Sequence, residues 1–181
     1  MLSTMTQDRS QHALADGDLS GLYARPGFLF RRAHQIAVGI FVQEAEPLAL
    51  NPPQHSALYA VLRRPGIDQS ALGRALGFDR ATIGIIVGGL ESRGLLRRQE
   101  GTDRRRKSLT LTPAGRQMLS KAAAAASRTT ERLMAPLSAA ERRVFLELLA
   151  RITDELNAQS RSPLETGAGS RGKVGTRARA A

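Results

Sequence analysis

A dense group of basic side chains lies between residues 93 and 107, and phosphate binding is the chemistry that it favours. The segment holds Arg93, Arg97, Arg98, Arg104, Arg105, Arg106 and Lys107 against Glu100 and Asp103, a net charge of +5. Any one of these arginines alone could be a solvated surface charge. A run of them at a hairpin tip, however, can enter the minor groove of DNA where it is narrow and its potential is most negative. Asp103 stands two residues before Arg105, and we expect its carboxylate to orient an arginine through a charge-assisted hydrogen bond.

A second unusual feature is the neutral, small-residue face of the helix predicted over residues 79–93. At 100° per residue, one stripe is apolar and faces the core, and it consists of Ile83, Ile86, Val87 and Leu90. The opposite face is centred on Ile85 and is completed by Ala81, Gly84, Gly88, Gly89 and Ser92, with Thr82 at its edge. Such a face permits close approach to the floor of a DNA major groove. A packed helix meeting Gly84 and Gly88 is the structural alternative.

The neutral face limits what this helix can read. Without a long polar side chain, direct base recognition is expected to be modest, although Ile85 and Thr82 can contact thymine methyl groups. We therefore expect the wing and the shape of the DNA to carry much of the specificity. The residues predicted to contact DNA are Gln69, Ser70, Arg80, Ala81, Thr82, Gly84, Ile85, Asp103, Arg104, Arg105, Arg106 and Lys107.

The local signals around these residues predict a helix-turn-helix followed by a hairpin. Asp68 and Asp79 are expected to cap two helices, and Gly77 and Gly94 to end them. Only three residues separate the two helices, as in a helix-turn-helix. Residues 95–99 and 108–111 then alternate as two short strands around a charged loop. Together these elements predict a winged helix.

Four further helices are expected around this unit. The first covers residues 27–44, and the second opens at Pro52 and stops before Pro65. The fifth opens at Thr112-Pro113 and runs to about residue 135, and a capping box at Ser138 opens the sixth. The sixth carries an apolar stripe that the two helices of the helix-turn-helix could not cover. The stripe consists of Phe145, Leu148, Leu149, Ile152 and Leu156.

The composition bounds the class of protein. The chain has 181 residues, no cysteine and a formal net charge of +11, which favours nucleic acid first and an anionic membrane surface second. Disulfides, thiolate metal sites and cysteine nucleophiles are therefore excluded. No apolar segment reaches the ~20 residues of a membrane span, no helix is basic, amphipathic and aromatic enough for a membrane surface, and the first residues lack the apolar core of a secretory signal. We expect a cytoplasmic protein.

The predicted fold is mainly α (α+β): a winged helix-turn-helix with an N- and C-terminal helical region. Residues 51–112 form the predicted DNA-binding domain, and residues 21–50 and 113–160 form the second helical region. Residues 1–20 are expected to be a disordered extension and residues 161–181 a disordered basic tail. The tail either solubilises the chain or serves as a non-specific DNA arm.

Three stretches resemble the MarR (multiple-antibiotic-resistance regulator) family. Residues 68–77 and 79–95 are similar to its reading helices, and residues 103–115 are similar to its wing signature, Asp-x-Arg followed by Leu-x-Leu-Thr-x-x-Gly. The resemblance covers about residues 27–158. It implies a homodimeric repressor that binds double-stranded DNA at pseudo-palindromic operators and is released by a small, often phenolic ligand, with Asp103 and Arg105 as the wing pair. It also implies that residues 21–50 and 113–160, with the apolar stripe of the sixth helix, form the dimerisation region. Many members carry a basic residue at the positions of Ile85 and Gly89 and an acidic one at Gly88, so their base contacts do not transfer directly.

The resemblance also implies an effector pocket between the two regions. Candidate ligand-binding residues on the first two helices are Arg31, Arg32, His34, His55 and Tyr59. An arginine with His and Tyr could fix an aromatic acid, or the phosphates of its CoA thioester. The alternative is that the histidines are ordinary surface or interhelical groups and the arginines form dimer salt bridges or phosphate contacts.

Two other classes of protein fit the sequence less well. An enzyme is not expected, because a Gly-rich phosphate loop and a His-Glu-x-x-His spacing are both missing from the sequence. No catalytic residue, metal ligand or cofactor is predicted. The serious rival is a non-specific or architectural DNA-binding protein without an effector, which would use the wing and the basic tail and would discriminate little between sequences.

Overall fold

The computed structural model describes residues 18–100 and 107–165. A single helical turn, Ser20–Tyr23, precedes six helices and a two-stranded sheet. These elements are α1 (Pro26–Glu44), α2 (Pro52–Arg63), α3 (Gln69–Leu76), α4 (Arg80–Ser92), β1 (Leu96–Glu100), β2 (Lys107–Leu111), α5 (Pro113–Met134) and α6 (Ala139–Glu155). This order confirms the predicted mainly helical fold with a winged helix-turn-helix at its centre.

The predicted ends of α3 and α4, the two helices of the helix-turn-helix, are confirmed. The carboxylates of Asp68 and Asp79 accept hydrogen bonds from the backbone N–H groups of Ala71 and Thr82, each at 2.8 Å. Gly77 and Gly94 both have a φ of +69°, the left-handed conformation that favours glycine after a helix. These local signals hold α3 and α4 at a fixed angle, so the reading helix enters the fold in one orientation.

The core of the winged helix lies where α2, α3, α4 and the wing strands meet. Its fully buried side chains are Leu58, Val61, Leu72, Ile83, Val87, Leu90, Leu96 and Leu109. The strands pair antiparallel, with Leu96 opposite Leu111 and Arg98 opposite Leu109. Because side chains alternate across a strand, the leucines at 96, 109 and 111 face the core. This packing fixes the base of the wing against the reading helix.

Strand β1 begins one residue later than predicted. Leu95 leaves α4 through a hydrogen bond from its N–H to the Leu90 carbonyl at 2.9 Å, and its own carbonyl accepts from the N–H of Thr112 at 3.1 Å. Its backbone therefore joins the exit of the helix to the entry of α5. The wing starts from a point held on both sides.

The C-terminal end of α1 packs against the C-terminal half of α5. Phe41, Ala45 and Ala125 form a small buried cluster between them. Glu44 accepts hydrogen bonds from Arg128 at 2.6 Å and Arg132 at 2.8 Å. These two guanidinium groups lower the pKa of the Glu44 carboxyl. The pairing fixes the C-terminal end of α1 on α5.

The last described residues differ from the predicted tail boundary. Residues 161–165 belong to the predicted disordered tail, whereas in the structure this segment lies against α3. The side chain of Asn157 bonds the backbone of Leu164 at 2.8 and 2.9 Å. Glu165 bonds Arg74 twice, through the backbone at 3.1 Å and through the side chains at 2.7 Å. Contacts with an orphan carbonyl near the end of α3 stabilise this course, and sequence composition could not reveal them. The rest of the predicted tail, like residues 1–17, lies outside the described residues.

Among residues 18–100 and 107–165, no helix has both the length and the apolar character needed to cross a membrane.

Candidate nucleic-acid interface

The outward face of α4 has the predicted neutral and open surface. Ile85 has 78% of its surface exposed, whereas Ile83, Val87 and Leu90 on the other side are buried. No heavy atom lies within 4 Å of the position that a Cβ would take at Gly88. The structure thus confirms the two-sided helix. The alternative of a helix packed on this face has no support within the described residues of the chain.

Thr82 is held at the start of this face by its own cap. Its N–H donates to one oxygen of Asp79 at 2.8 Å, and its hydroxyl donates to the other at 3.0 Å. Both hydrogen bonds lower the pKa of the Asp79 carboxyl. Because its proton is committed to Asp79, the Thr82 hydroxyl is not free to donate to a base edge. This arrangement leaves its methyl group and lone pairs for recognition.

Gln69 approaches the same face from α3. Its amide nitrogen lies 3.5 Å from the position of a Cβ at Gly84, so the absence of a side chain there makes room for the amide. Ser70, Arg80 and Ala81 are exposed on the first turns of α3 and α4. The structure therefore brings the predicted contacts of the two reading helices together at the N-terminal ends of α3 and α4.

The basic cluster divides into groups with different partners. The Arg93 guanidinium donates to the carbonyls of Ala49 at 2.7 Å and Leu48 at 2.9 Å. It thereby secures a loop in which Ala49 has a φ of +47°, and this structural role replaces the phosphate contact suggested by the sequence. Arg97 donates to the Thr110 hydroxyl at 3.2 Å, and Lys107 is exposed. The predicted wing residues Asp103, Arg104, Arg105 and Arg106 lie outside the described residues.

A cavity of about 410 Å³ lies between α2 and α5. Two of the predicted effector residues, His55 and Tyr59, line it together with Arg116 and Ser120. Its remaining wall is apolar and consists of Leu62, Leu119, Ala123 and Ala126. The ring of His55 also packs against Phe41, with centroids 5.5 Å apart. The site can therefore enclose an apolar ring and meet a polar substituent at one end.

The other three predicted effector residues do not join this cavity. Arg31, Arg32 and His34 are exposed on the N-terminal half of α1, and the cavity lining does not include them. Arg31 donates to Gln35 at 3.0 Å and stacks over the Phe28 ring at 4.8 Å. Within one chain, these side chains support α1 itself.

Comparison with known proteins gives the family. The MarR family profile matches residues 50–106, which run from the start of α2 to the wing. The putative transcriptional regulatory protein for the hcr operon of Thauera aromatica is 35% identical over 141 residues, 77% of this chain and 83% of that protein. The chain belongs to the MarR family. It is a transcriptional regulator of the MarR type.

Solved structures of MarR-type regulators share this fold. PcaV of Streptomyces coelicolor, in complex with its natural ligand, is 33% identical, with a TM-score of 0.66 over 76% of this chain and 95% of PcaV. The repressor CouR bound to a 23-mer DNA duplex is 31% identical, with a TM-score of 0.70 over 75% of this chain and 97% of CouR. CouR bound to p-coumaroyl-CoA is 29% identical, with a TM-score of 0.71 over 77% and 99%.

In this MarR-type regulator, Arg116 lines the cavity although it was not among the predicted effector residues. Thr112 caps α5 by accepting a hydrogen bond from the Gly115 N–H at 3.0 Å, which places Arg116 in the first helical turn. The cap could be predicted from the sequence, but the register of α5 against α2 could not. Arg116 and Tyr59 line the same cavity because of this tertiary packing.

The half-buried imidazole of His55 should make stability depend on pH. Burial lowers the pKa of His55 below its usual value, so the unfolded chain takes up this proton first as the pH falls below about 6.5. Unfolding then becomes easier until the folded pKa is reached. We expect the melting temperature of His55→Gln to fall less than that of the native chain between pH 7.5 and 5.5.

His34→Gln is the matched control, because His34 is exposed on α1. Melting temperatures measured at a fixed protein concentration should show the native pH dependence in this variant. An identical fall in melting temperature in the native protein and in His55→Gln would contradict the expected contribution of His55 to the pH dependence.

Proposed function

We propose that this chain is a homodimeric repressor that binds a pseudo-palindromic operator and releases it when a small aromatic acid, or its CoA thioester, binds. The open face of α4, with Ile85 exposed at its centre, is the observation that carries the proposal. An exposed isoleucine among glycines is unfavourable in water and well suited to thymine methyl groups in a major groove. In this proposal the arginines of the wing sequence supply the phosphate contacts.

The dimer is supported by helix α6. None of its 17 residues is buried, and the apolar side chains of Phe145, Leu148 and Ile152 are between 42% and 44% exposed. Leu156, directly after the helix, is 56% exposed. A single helix owes most of its stability to packing of its apolar face. A second copy offers the same face and satisfies both at once through a two-fold axis.

We expect Ile152→Asn to weaken the dimer by about 100-fold, since an apolar contact is lost in each of two subunits. Analytical ultracentrifugation measures the dissociation constant. Glu147→Asn is the matched control. It introduces the same residue as Ile152→Asn, but on the opposite side of α6. A native protein that sediments as a monomer at micromolar concentration would refute the dimer.

The cavity between α2 and α5 is the proposed effector site. Its apolar wall accepts an aromatic ring, and the Arg116 guanidinium can pair with a carboxylate or, at the rim, with the phosphates of a CoA ester. Tyr59 and Ser120 offer hydroxyl partners for a phenol. CouR in complex with p-coumaroyl-CoA and PcaV in complex with its natural ligand support a small-molecule effector.

Thermal shift with hydroxycinnamates, benzoates and their CoA esters tests the effector site. A ligand that raises the melting temperature of the native protein should lose this effect in Arg116→Ala. It should keep the effect in Lys121→Ala, which removes an exposed charge from the same helix. A panel without any response would exclude the proposed ligand class, and a native response in Arg116→Ala would exclude Arg116 as a ligand-binding residue.

Selection from randomised duplex DNA at near-physiological salt tests the proposed function as a whole. We expect enrichment of a two-fold symmetric motif with half-sites about one helical turn apart. The affinity should fall steeply as salt rises, because phosphate contacts release counterions. Enrichment of AT-rich sequence without symmetry would instead favour the architectural DNA-binding protein.

A further inference from the structure

Arg98, on the wing strand β1, connects three parts of the reading domain. Its Nε lies 3.1 Å from a carboxylate oxygen of Glu91 in the last turn of α4. Its terminal nitrogen donates to Oε1 of Gln69, the first residue of α3, at 3.0 Å. One planar guanidinium therefore joins the wing, the reading helix and the start of the preceding helix. Its fork of donors in fixed geometry suits such a junction.

The contact determines what Gln69 can offer to DNA. A free glutamine amide reads adenine with its oxygen as acceptor and its nitrogen as donor. Here Arg98 occupies the oxygen, while the nitrogen stands over the small-residue face of α4 near Gly84. The bond to Arg98 engages the oxygen, so the Gln69 amide presents its N–H donors to DNA, and phosphate oxygens are the acceptors that DNA presents most densely along its backbone.

We propose that Arg98 is a positioning residue, which orients the Gln69 amide as a donor to a DNA phosphate and sets the wing relative to α4. The proposal rests on the proposed DNA-binding function. Arg98 acts here through its protein partners, since its Nε pairs with Glu91 and a terminal nitrogen donates to Gln69. An arginine that contacts phosphate directly would instead act independently of Gln69.

Arg97 provides a matched control on the same strand. It carries the same charge, but it donates to Thr110 on the other side of the strand and contacts neither Glu91 nor Gln69 in the described structure. Arg97→Ala therefore reports the loss of one positive charge from the wing. Arg98→Lys keeps the charge and removes the fork, so it separates geometry from electrostatics.

The affinity for a selected operator duplex is measured by fluorescence anisotropy. We expect Arg98→Ala and Arg98→Lys to bind about 10-fold more weakly than Arg97→Ala, because an oriented hydrogen bond is lost in each of two subunits. In a Gln69→Ala background, the effect of Arg98→Ala should be smaller than in the native protein, because only the contact with Glu91 remains to be lost. Native affinity in Arg98→Lys, or an undiminished effect in the Gln69→Ala background, would overturn the proposal.

The side-chain amide resonances of Gln69 provide a test without DNA. Their chemical shifts should change in Arg98→Ala and Arg98→Lys and stay unchanged in Arg97→Ala. Unchanged shifts in both Arg98 variants would overturn the positioning role even if the protein binds an operator. A native protein that enriches no operator, with the resonances changed as expected, would refute the proposed function and leave the role of Arg98 in the wing intact.

Discussion

Replacement of Gly115 by alanine is expected to lower the free energy of unfolding by about 3 kcal/mol. A Cβ at this position would collide with the backbone carbonyl of Leu95 and press on the Leu111 side chain. The carbonyl cannot retreat, because the N–H of Thr112 donates to it at 3.1 Å. The Thr112 hydroxyl also donates to the neighbouring Gly94 carbonyl at 2.6 Å. This second bond holds the start of α5 where it crosses the exit of α4. Urea denaturation at a fixed protein concentration measures the loss.

Gly88→Ala is the control of opposite sign. A Cβ at Gly88 meets open space, so this exchange should stabilise the helix by roughly 1 kcal/mol. If Gly115→Ala unfolds at the same urea concentration as the native chain, the close approach of α5 to Leu95 is wrong. The two variants distinguish Gly115, a glycine that packing requires, from Gly88, a glycine on an open face where packing would allow a side chain.

The same crossing gives a physical reason for the wing signature from which the sequence resemblance was drawn. In the run Leu-x-Leu-Thr-x-x-Gly, Leu109 and Leu111 fill the core, Thr112 caps α5, and Gly115 lets the first turn of α5 cross the exit of α4. Each of these residues acts on near neighbours or on one crossing. Local rules of this kind made the winged helix predictable from the sequence.

The partners of the basic residues were not predictable in the same way. Arg93 reaches carbonyls 44 and 45 residues away, and Arg98 reaches a glutamine 29 residues away. Composition treats all arginines of the cluster as equivalent phosphate ligands. Only the packing of α2 and α3 beside α4 decides which of them are occupied within the protein.

The effector site shows the same limit. His55 and Tyr59 were identified from their residue types on one helix, and the structure places both in one cavity. Arg31, Arg32 and His34 have similar chemistry but lie on the exposed half of α1. The basic group that completes the cavity, Arg116, comes from α5, and its position depends on a helix register that residue types alone do not define.

Ile85→Glu is expected to weaken operator binding by at least about 100-fold. Two carboxylates per dimer would then enter the grooves beside phosphates, and even a single mismatched base pair costs about 1–3 kcal/mol. The fold should be unaffected, because 78% of the Ile85 surface is exposed and glutamate is a good helix former. Anisotropy titration of a selected duplex, together with the melting temperature of the free protein, measures both effects.

Two companion variants show whether the effect arises at the reading face. Ala124→Glu adds the same charge on an exposed position of α5 and should reduce affinity only by the generic repulsion that salt screens. Ile85→Arg supplies a cation at the same position and should bind at least as tightly as the native protein, with a steeper salt dependence. If Ile85→Glu and Ala124→Glu weaken binding equally, α4 does not enter the groove. The affinity would then come from the wing and from long-range charge, which is the behaviour of an architectural DNA-binding protein.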